Sequence, residues 1–386
     1  MDLILDFFFV GGIFIISMII FQLLKVKSKE LPQKILIVIF FLLFFVAFYF
    51  YALLHNIVWL IRLLFFPNDI TTITLGPLLF LYVKSLFLKE DGLVKNILVH
   101  FIPAFLFAIS ITIPTILFNI FKIDELAYTH TDWIRTIIRI DSLYFLLYLF
   151  LSLRLLSKYR KLTKHKYSNL THHDFNWIRI MLISAIGIIS MDLGIKIYES
   201  FYGDFRWNAD YLSVLAMIIL VIYLGYYGVH QSKVLLPSFL LNNEITAEIS
   251  KAKNKIISPT KKEEFKTLKN KLEFLLDTDQ THLDQDLTLG KLAQKISTTD
   301  KILSTMLNQY MNTTFYDLIN KYRVQAVKEK IHLDTYKNYN LFGIACECGF
   351  KSRTSFNRIF KKETGLSPSE YKKGSQKGST IFFNIL

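Results

Sequence analysis

Long apolar runs constrain this chain more than any other feature. A helix needs roughly 20 apolar residues to cross the hydrocarbon of a bilayer. Seven stretches before residue 231 approach that length: 3–24, 35–54, 70–88, 97–119, 137–157, 178–198 and 211–230. Backbone in hydrocarbon must satisfy its own hydrogen bonds, so such runs are expected as helices packed side by side. Gly76-Pro77 interrupts the third run, which a packed bundle tolerates, and Asp141 and Asp192 stand inside the fifth and sixth. The run His55–Phe66 is too short to span, and is expected to extend the second helix or lie at the interface. The first run begins with Asp2 and Asp6 instead of a basic segment, and it is long enough to span, so it reads as a span and not as a cleaved signal.

Lys and Arg set the orientation of such a bundle. With the N-terminus outside, the inner segments carry fourteen of them, among them Lys25, Lys84, Arg154, Lys161, Lys164 and Lys166. The outer segments carry Arg62, Lys122, Arg135 and Arg206, with Arg139 and Lys196 near span ends. An odd number of spans then puts residues 231–386 inside.

The 52% hydrophobic content averages two different halves, since nearly all apolar runs end by His230 and the rest is polar and Lys-rich. A formal charge of +14 suits nucleic acid or anionic lipid. Cys346 and Cys348 are the only cysteines, so no disulfide framework is implied, and no second Cys pair or nearby His completes a zinc set. They are expected as small buried or half-buried residues. Asp192 and Lys196, four apart, are expected to pair on one helix face, and His100 to serve packing or anchoring. No catalytic cluster, phosphate-binding glycine loop or metal set stands out, so neither an enzyme nor a cofactor is expected.

Gln231–Thr281 joins the two halves. A helix near 262–276 places Phe265, Leu268, Leu272 and Leu275 at helical spacing. Packing on the following domain is the favoured use of this stripe, and pairing of two chains into a homodimer is the alternative.

Beyond Leu287 one pattern occurs twice. Leu289, Leu292, Ala293 and Ile296 form one helix face behind Thr288 as N-cap. A polar turn follows, then a helix from Asp300 to Tyr310 facing inward with Leu303, Met306, Leu307 and Tyr310. Its outward face is expected to show Asp300, Lys301, Ser304, Thr305 and Asn308. A longer helix, 315–333, is expected to bury Phe315, Leu318, Ile319 and Tyr322. The motif then returns: Leu341, Ile344, Ala345 and Cys348, a turn at Gly349-Phe350-Lys351, and a helix capped by Ser352 whose inner face is Phe356, Ile359 and Phe360. Its outer face carries Arg353, Thr354, Asn357, Arg358 and Lys361, and Gly365 is placed to end it. Ser367-Pro368-Ser369-Glu370 reads as a capping box opening a last helix.

Two helix pairs joined by tight turns are two helix-turn-helix units. Each recognition helix suits a major groove, and two can enter successive grooves about 34 Å apart on one DNA face. Arg353 or Arg358 suits guanine, Asn357 suits adenine, and Lys351, Ser352, Lys361 and Lys362 suit phosphates. Residues 280–374 carry 15 Lys and Arg against 9 Asp and Glu, a net charge of +6 that fits this use.

Residues 284–373 resemble the AraC-type DNA-binding domain of bacterial transcription regulators. The resemblance is carried by LTLGKLA from Leu287, LINKYR from Leu318, IACECGF from Ile344, SRTSFNRIFKK from Ser352, and Gly365, Ser367-Pro368 and Tyr371. Asn312 stands where the family usually has Gly, and Asn tolerates the left-handed backbone expected there. Ser367 replaces the usual Thr before Pro368. The N-terminal half is similar to the membrane-embedded subgroup of this family through Leu-Gly-Pro-Leu-Leu at 75–79 and His-Phe-Ile-Pro at 100–103. The resemblance implies promoter DNA as partner, RNA polymerase as a further one, and a bacterial cytoplasmic membrane as location.

The expected architecture is therefore all-α: a seven-span membrane bundle at 1–230, a linker with a helix at 231–281, a double helix-turn-helix domain at 282–374 and a tail at 375–386. The expected function is transcription regulation by a membrane-tethered DNA-binding protein whose bundle senses an unidentified signal. The alternative is a membrane signalling protein or transporter whose helical tail binds a protein partner.

Overall fold

A computed structural model describes residues 2–87, 97–121, 132–169, 175–203, 205, 210–230 and 259–373. Junction residues 231–258, the tail beyond 373, and Lys122 and Arg206 lie outside the described residues. Regular structure among the described residues is helical, and the β pairing there is one isolated antiparallel bridge, Tyr167 to Thr288.

The chain divides into two compact units. The first takes Met1–Lys158 and Phe175–Leu235, and the second takes Tyr159–Asp174 and Leu236–Leu386. Each of the seven apolar runs falls on a helix: α1 (Asp2–Lys25), α2 (Leu31–Leu54), α3 (Val58–Ser85), α4 (98–121), α5 (Asp132–Thr163), α6 (Asn176–Tyr202) and α7 (Asp210–His230). Five of them, α1, α2, α4, α6 and α7, are long and apolar enough among the described residues to cross a membrane, and the bent α3 makes six. The expected count of seven is thus approached but not reached on length and composition, with α5 the remaining run.

The run His55–Phe66 corrects one expectation. It does not extend α2, because Asn56 turns the backbone left-handed (φ 54°) and α3 begins at Val58. From Val58 onward that run is the first part of α3, which bends by 48° beyond Pro67. An interior proline supplies no amide and crowds the carbonyl a turn earlier, which is sufficient cause for a bend. In the first unit α1 packs on α2 and α7, α2 on α3, and α6 on α7. Gly12 permits the close approach of α1 and α7, since a Cβ there would fall 2.8 Å from the Ile218 side chain. Large apolar side chains also face outward, among them Phe7, Phe14 and Phe21 of α1, Trp59 and Leu63 of α3, Phe105 of α4 and Ile219 of α7. Asp192 and Lys196 form the expected pair at 3.0 Å, and His100 is held by the Tyr148 hydroxyl at 2.8 Å.

In the second unit, α8 (Pro259–Thr278) precedes α9 (Leu289–Lys295), α10 (Asp300–Thr305, continued by a wider π turn, Met306–Tyr310), α11 (Phe315–Lys330), α12 (Leu341–Glu347), α13 (Arg353–Thr364) and α14 (368–373). Phe265, Leu272 and Leu276 of α8 are buried in one core with Leu289, Leu292, Leu303, Met306 and Phe315, while Leu268 and Leu275 pack at its edge. The stripe on α8 therefore packs on its own domain, as favoured from the sequence. A second core holds Tyr316, Val324, Val327, Ile344, Ala345, Cys348, Phe350, Phe356, Ile359 and Phe360. Helix α11 serves both cores, so more of its circumference is buried than the one face expected: Asn320 and Arg323 are buried alongside Leu318 and Ile319.

Candidate nucleic-acid interface

Two helix-turn-helix units emerge with matching backbone chemistry. In the first, the Thr288 hydroxyl accepts from Lys291 N at 3.3 Å and opens α9. Ser297 turns left-handed (φ 55°), and Thr298 N donates to Ala293 O at 2.9 Å. The Thr299 hydroxyl then accepts from Ile302 N and opens α10. In the second, Asn340 caps α12 through Gly343 N at 2.7 Å. Gly349 turns left-handed (φ 88°), and Phe350 N donates to Ala345 O at 3.0 Å. Ser352 accepts from Ser355 N at 3.1 Å and opens α13. The left-handed residue stands at the same distance after each cap, so the two turns are one device built once with Ser and once with Gly.

The expected helix ends also hold. Gly365 takes the left-handed conformation (φ 79°) at the end of α13, and its N–H donates to Lys361 O at 2.9 Å. Ser367 and Glu370 form the reciprocal box, with Ser367 N donating to Glu370 Oε2 at 2.8 Å and Glu370 N to Ser367 Oγ at 3.3 Å. The Ser367 hydroxyl also donates to Glu370 Oε2 at 2.7 Å, and this bond, with that from Ser367 N, holds the Glu370 carboxyl below its ordinary pKa. Asn312, standing for the family's glycine, is left-handed at φ 49°.

On α13 the side chains Arg353, Thr354, Asn357, Arg358 and Lys361 are all exposed, and the cap Ser352 is half-buried. Two of these are positioned by neighbours. The Arg353 guanidinium lies over the Phe342 ring with Cζ 5.5 Å from its centre, and Arg358 Nη2 donates to the Tyr316 hydroxyl at 3.1 Å. Lys362 pairs with Asp317 at 2.8 Å and Lys351 with Asp286, so these two of the four phosphate candidates begin from an ion pair within the domain. Burial pushes the Asp317 carboxyl up, but hydrogen bonds from Lys362 and Thr314 and the charge of Lys164 outweigh it and leave the group below its usual range.

Helix α10 differs from the expectation at one position. Lys301 is exposed and Thr305 half-exposed, but Ser304 is 7% exposed and faces the core. Its carbonyl accepts from Asn308 Nδ2 at 2.7 Å, and its hydroxyl from the same amide at 3.3 Å. Ser304 therefore orients Asn308 and presents little surface of its own. The adjoining Ile302, nearly half exposed, takes a place on the outward face. Its position next to the inward Leu303, off the i, i+3, i+4 stripe, was the available signal. An apolar side chain there suits a thymine methyl.

Cys348 is buried, and burial pushes its thiol up to about 11, so it behaves as a packed apolar residue. Cys346 is half-buried.

Residues 292–374 match a family model described as a helix-turn-helix domain. An uncharacterized HTH-type transcriptional regulator of Staphylococcus aureus (strain COL) is 27% identical over 103 residues, which are 27% of this chain and 13% of that protein. The Melibiose operon regulatory protein of Escherichia coli (strain K12) is 29% identical over 99 residues, 26% of this chain and 32% of that one. The similarity thus spans only a small part of these relatives' length. No solved structure matches the chain.

Proposed function

We propose, from the premise that residues 292–374 are an AraC-type helix-turn-helix domain, that this chain is a membrane-tethered transcription regulator. The observation that carries the reading is one covalent chain holding both a paired helix-turn-helix domain and a group of apolar helices with outward-facing Phe, Leu and Trp. Such faces suit lipid, while α13 offers a basic exposed face suited to a major groove. The Lys and Arg asymmetry favours an outside N-terminus, seven spans with α5 included, and a DNA-binding domain at the inner face of a bacterial cytoplasmic membrane.

In this reading α10 and α13 enter adjacent major grooves of one duplex. Arg353, Asn357 and Arg358 contact bases, and Lys301, Thr305, Asn308, Ser352, Thr354 and Lys361 contact bases or phosphates nearby. A signal received by the bundle shifts DNA affinity to the extent that it binds the two states unequally.

The test is selection of binding sequences from random duplex DNA by the full-length protein in lipid nanodiscs, beside an Arg353→Ala, Arg358→Ala variant. Recovery of a site with two patches one helical turn apart, weakened in the variant, is the expected result. Enrichment of no sequence, with binding that only falls steeply with salt, would reduce the interface to phosphate attraction.

A further inference from the structure

The second unit contains a segment that the sequence reading leaves in the membrane half. Leaving α5, residues Lys164–Ser168 are polar and basic, a composition ordinarily left in solvent. Here Ser168 is 1% exposed. Its hydroxyl donates to Leu287 O at 2.7 Å, and its carbonyl accepts from Asn320 Nδ2 at 3.1 Å and from Arg323 Nη1 at 3.2 Å. Arg323 Nη2 reaches the same hydroxyl at 3.1 Å. Two backbone amides of the DNA-binding domain are also answered by this segment: Leu289 N donates to Lys166 O and Tyr316 N to Lys164 O, each at 3.0 Å. Tyr167 forms the bridge to Thr288 while its ring packs against the second core.

One short segment thereby touches the first helix-turn-helix unit, the connecting helix α11 and the core of the second unit. It also reaches the reading face: the Lys164 ammonium lies 5.8 Å above the Tyr316 ring, and the hydroxyl of that ring holds Arg358. Without the segment, two amides and part of a buried guanidinium would need other acceptors.

We propose that Lys164–Ser168 is a docking brace: it occupies the face formed by Leu287–Leu289, Tyr316, Asn320 and Arg323, and holds the two helix-turn-helix units at a set spacing. The brace is covalently continuous with α5, so a displacement of α5 reaches the reading helices through it as well as through the 231–258 connection. This role in spacing rests on the DNA-reading function proposed above; the docking itself does not. By linkage, DNA of matching spacing favours the docked segment as much as docking favours that DNA.

Two measurements on the full chain in nanodiscs test this. With Tyr167→p-benzoylphenylalanine, photo-crosslinks are expected in peptides covering 283–289 or 341–356. Crosslinks confined to lipid or to residues 1–158 would overturn the docking. With Tyr167→Ala, Ser168→Ala, which alters only the segment, amide exchange at Leu289 and Tyr316 is expected to rise about tenfold or more. The preference for the selected site over one carrying about five extra base pairs between its patches is expected to fall about fivefold or more. Unchanged exchange overturns the docking, and raised exchange with an unchanged preference overturns the brace. A wild-type protein with no site preference, in the presence of the expected crosslinks, removes the DNA-reading premise and the brace's role with it while the docking stands.

Discussion

Arg323 and Gly349 occupy adjoining space so tightly that a Cβ on the glycine would stand 2.7 Å from Arg323 Nε. The same Cβ would lie 2.9 Å from Leu283 O and 3.0 Å from His282 O, the latter being the carbonyl to which Nε donates at 2.8 Å. The guanidinium is 1% exposed, and its further bonds go to Asp284 O and to Ser168. The turn of the second helix-turn-helix unit is thus built against a buried arginine of α11. Burial pulls that guanidinium down to about 10, so it remains charged at neutral pH.

Gly349→Ala is accordingly expected to destabilise the DNA-binding domain. The φ of 88° disfavours any L side chain, and the added methyl meets main-chain carbonyls that cannot easily yield. A loss of about 1–3 kcal/mol is expected, read as a lower urea midpoint with an unchanged m-value. An unchanged midpoint would mean that the turn relaxes around the methyl.

Leu272→Ala tests whether α8 belongs to the domain core. Leu272 is fully buried against the first core. Truncation is expected to lower stability by about 2–5 kcal/mol without changing the oligomeric state in light scattering. A change in assembly with little loss of stability would return the stripe to a dimer role.

Substitutions on α13 separate base contacts from phosphate contacts. Arg353→Ala is expected to cost about 1–3 kcal/mol at one base position and to relax sequence preference there. Lys361→Ala is expected to weaken all sequences alike and to reduce the salt slope by about one. Competition titrations against single-base variants of the selected site, repeated at two salt concentrations, distinguish these outcomes. Ser304→Ala is expected to act differently from both, through loss of one contact to Asn308, since Ser304 is buried.

One buried imidazole, His282, and one half-buried one, His165, make stability depend on pH. Burial lowers the pKa of His282, against the pull of its hydrogen bond to Leu276 O. Burial likewise lowers that of His165, with Asp317 opposing and Lys164 adding. Both thus take up protons at lower pH in the folded domain than in the unfolded chain, which does so near the ordinary histidine value of about 6.5. The stability they contribute is therefore complete above that value and is lost as pH falls toward the depressed folded values. The urea midpoint is expected to drop between about pH 7.5 and about pH 5.5, and to drop less in His282→Gln. Asp317, depressed from the carboxylate range, loses its contribution only at lower pH.

Much of this was legible in the sequence because the signals are local. Thr288 and Ser352 announced helix starts, and Gly365 a helix end, since a cap acts on amides or carbonyls within one turn. Leu289, Leu292 and Ala293, or Phe356, Ile359 and Phe360, marked core faces through a 3.6-residue period. Thr314 and Asn340 also cap helices and were missed, although the same local chemistry was present. The break at Asn56 was hidden because apolar residues continue on both sides of a single left-handed residue.

The sequence by itself determined an all-helical chain, apolar in its first part and twice helix-turn-helix in its last, because periodicity and capping are properties of neighbouring residues. Tertiary structure alone decided that Ser304 turns inward, that Arg323 is buried, and that Lys164–Ser168 lies against α11. Arg323 meets Ser168 across 155 positions of chain. A polar side chain can be buried only where acceptors from distant segments converge on it, and nothing in its immediate neighbours records that they will.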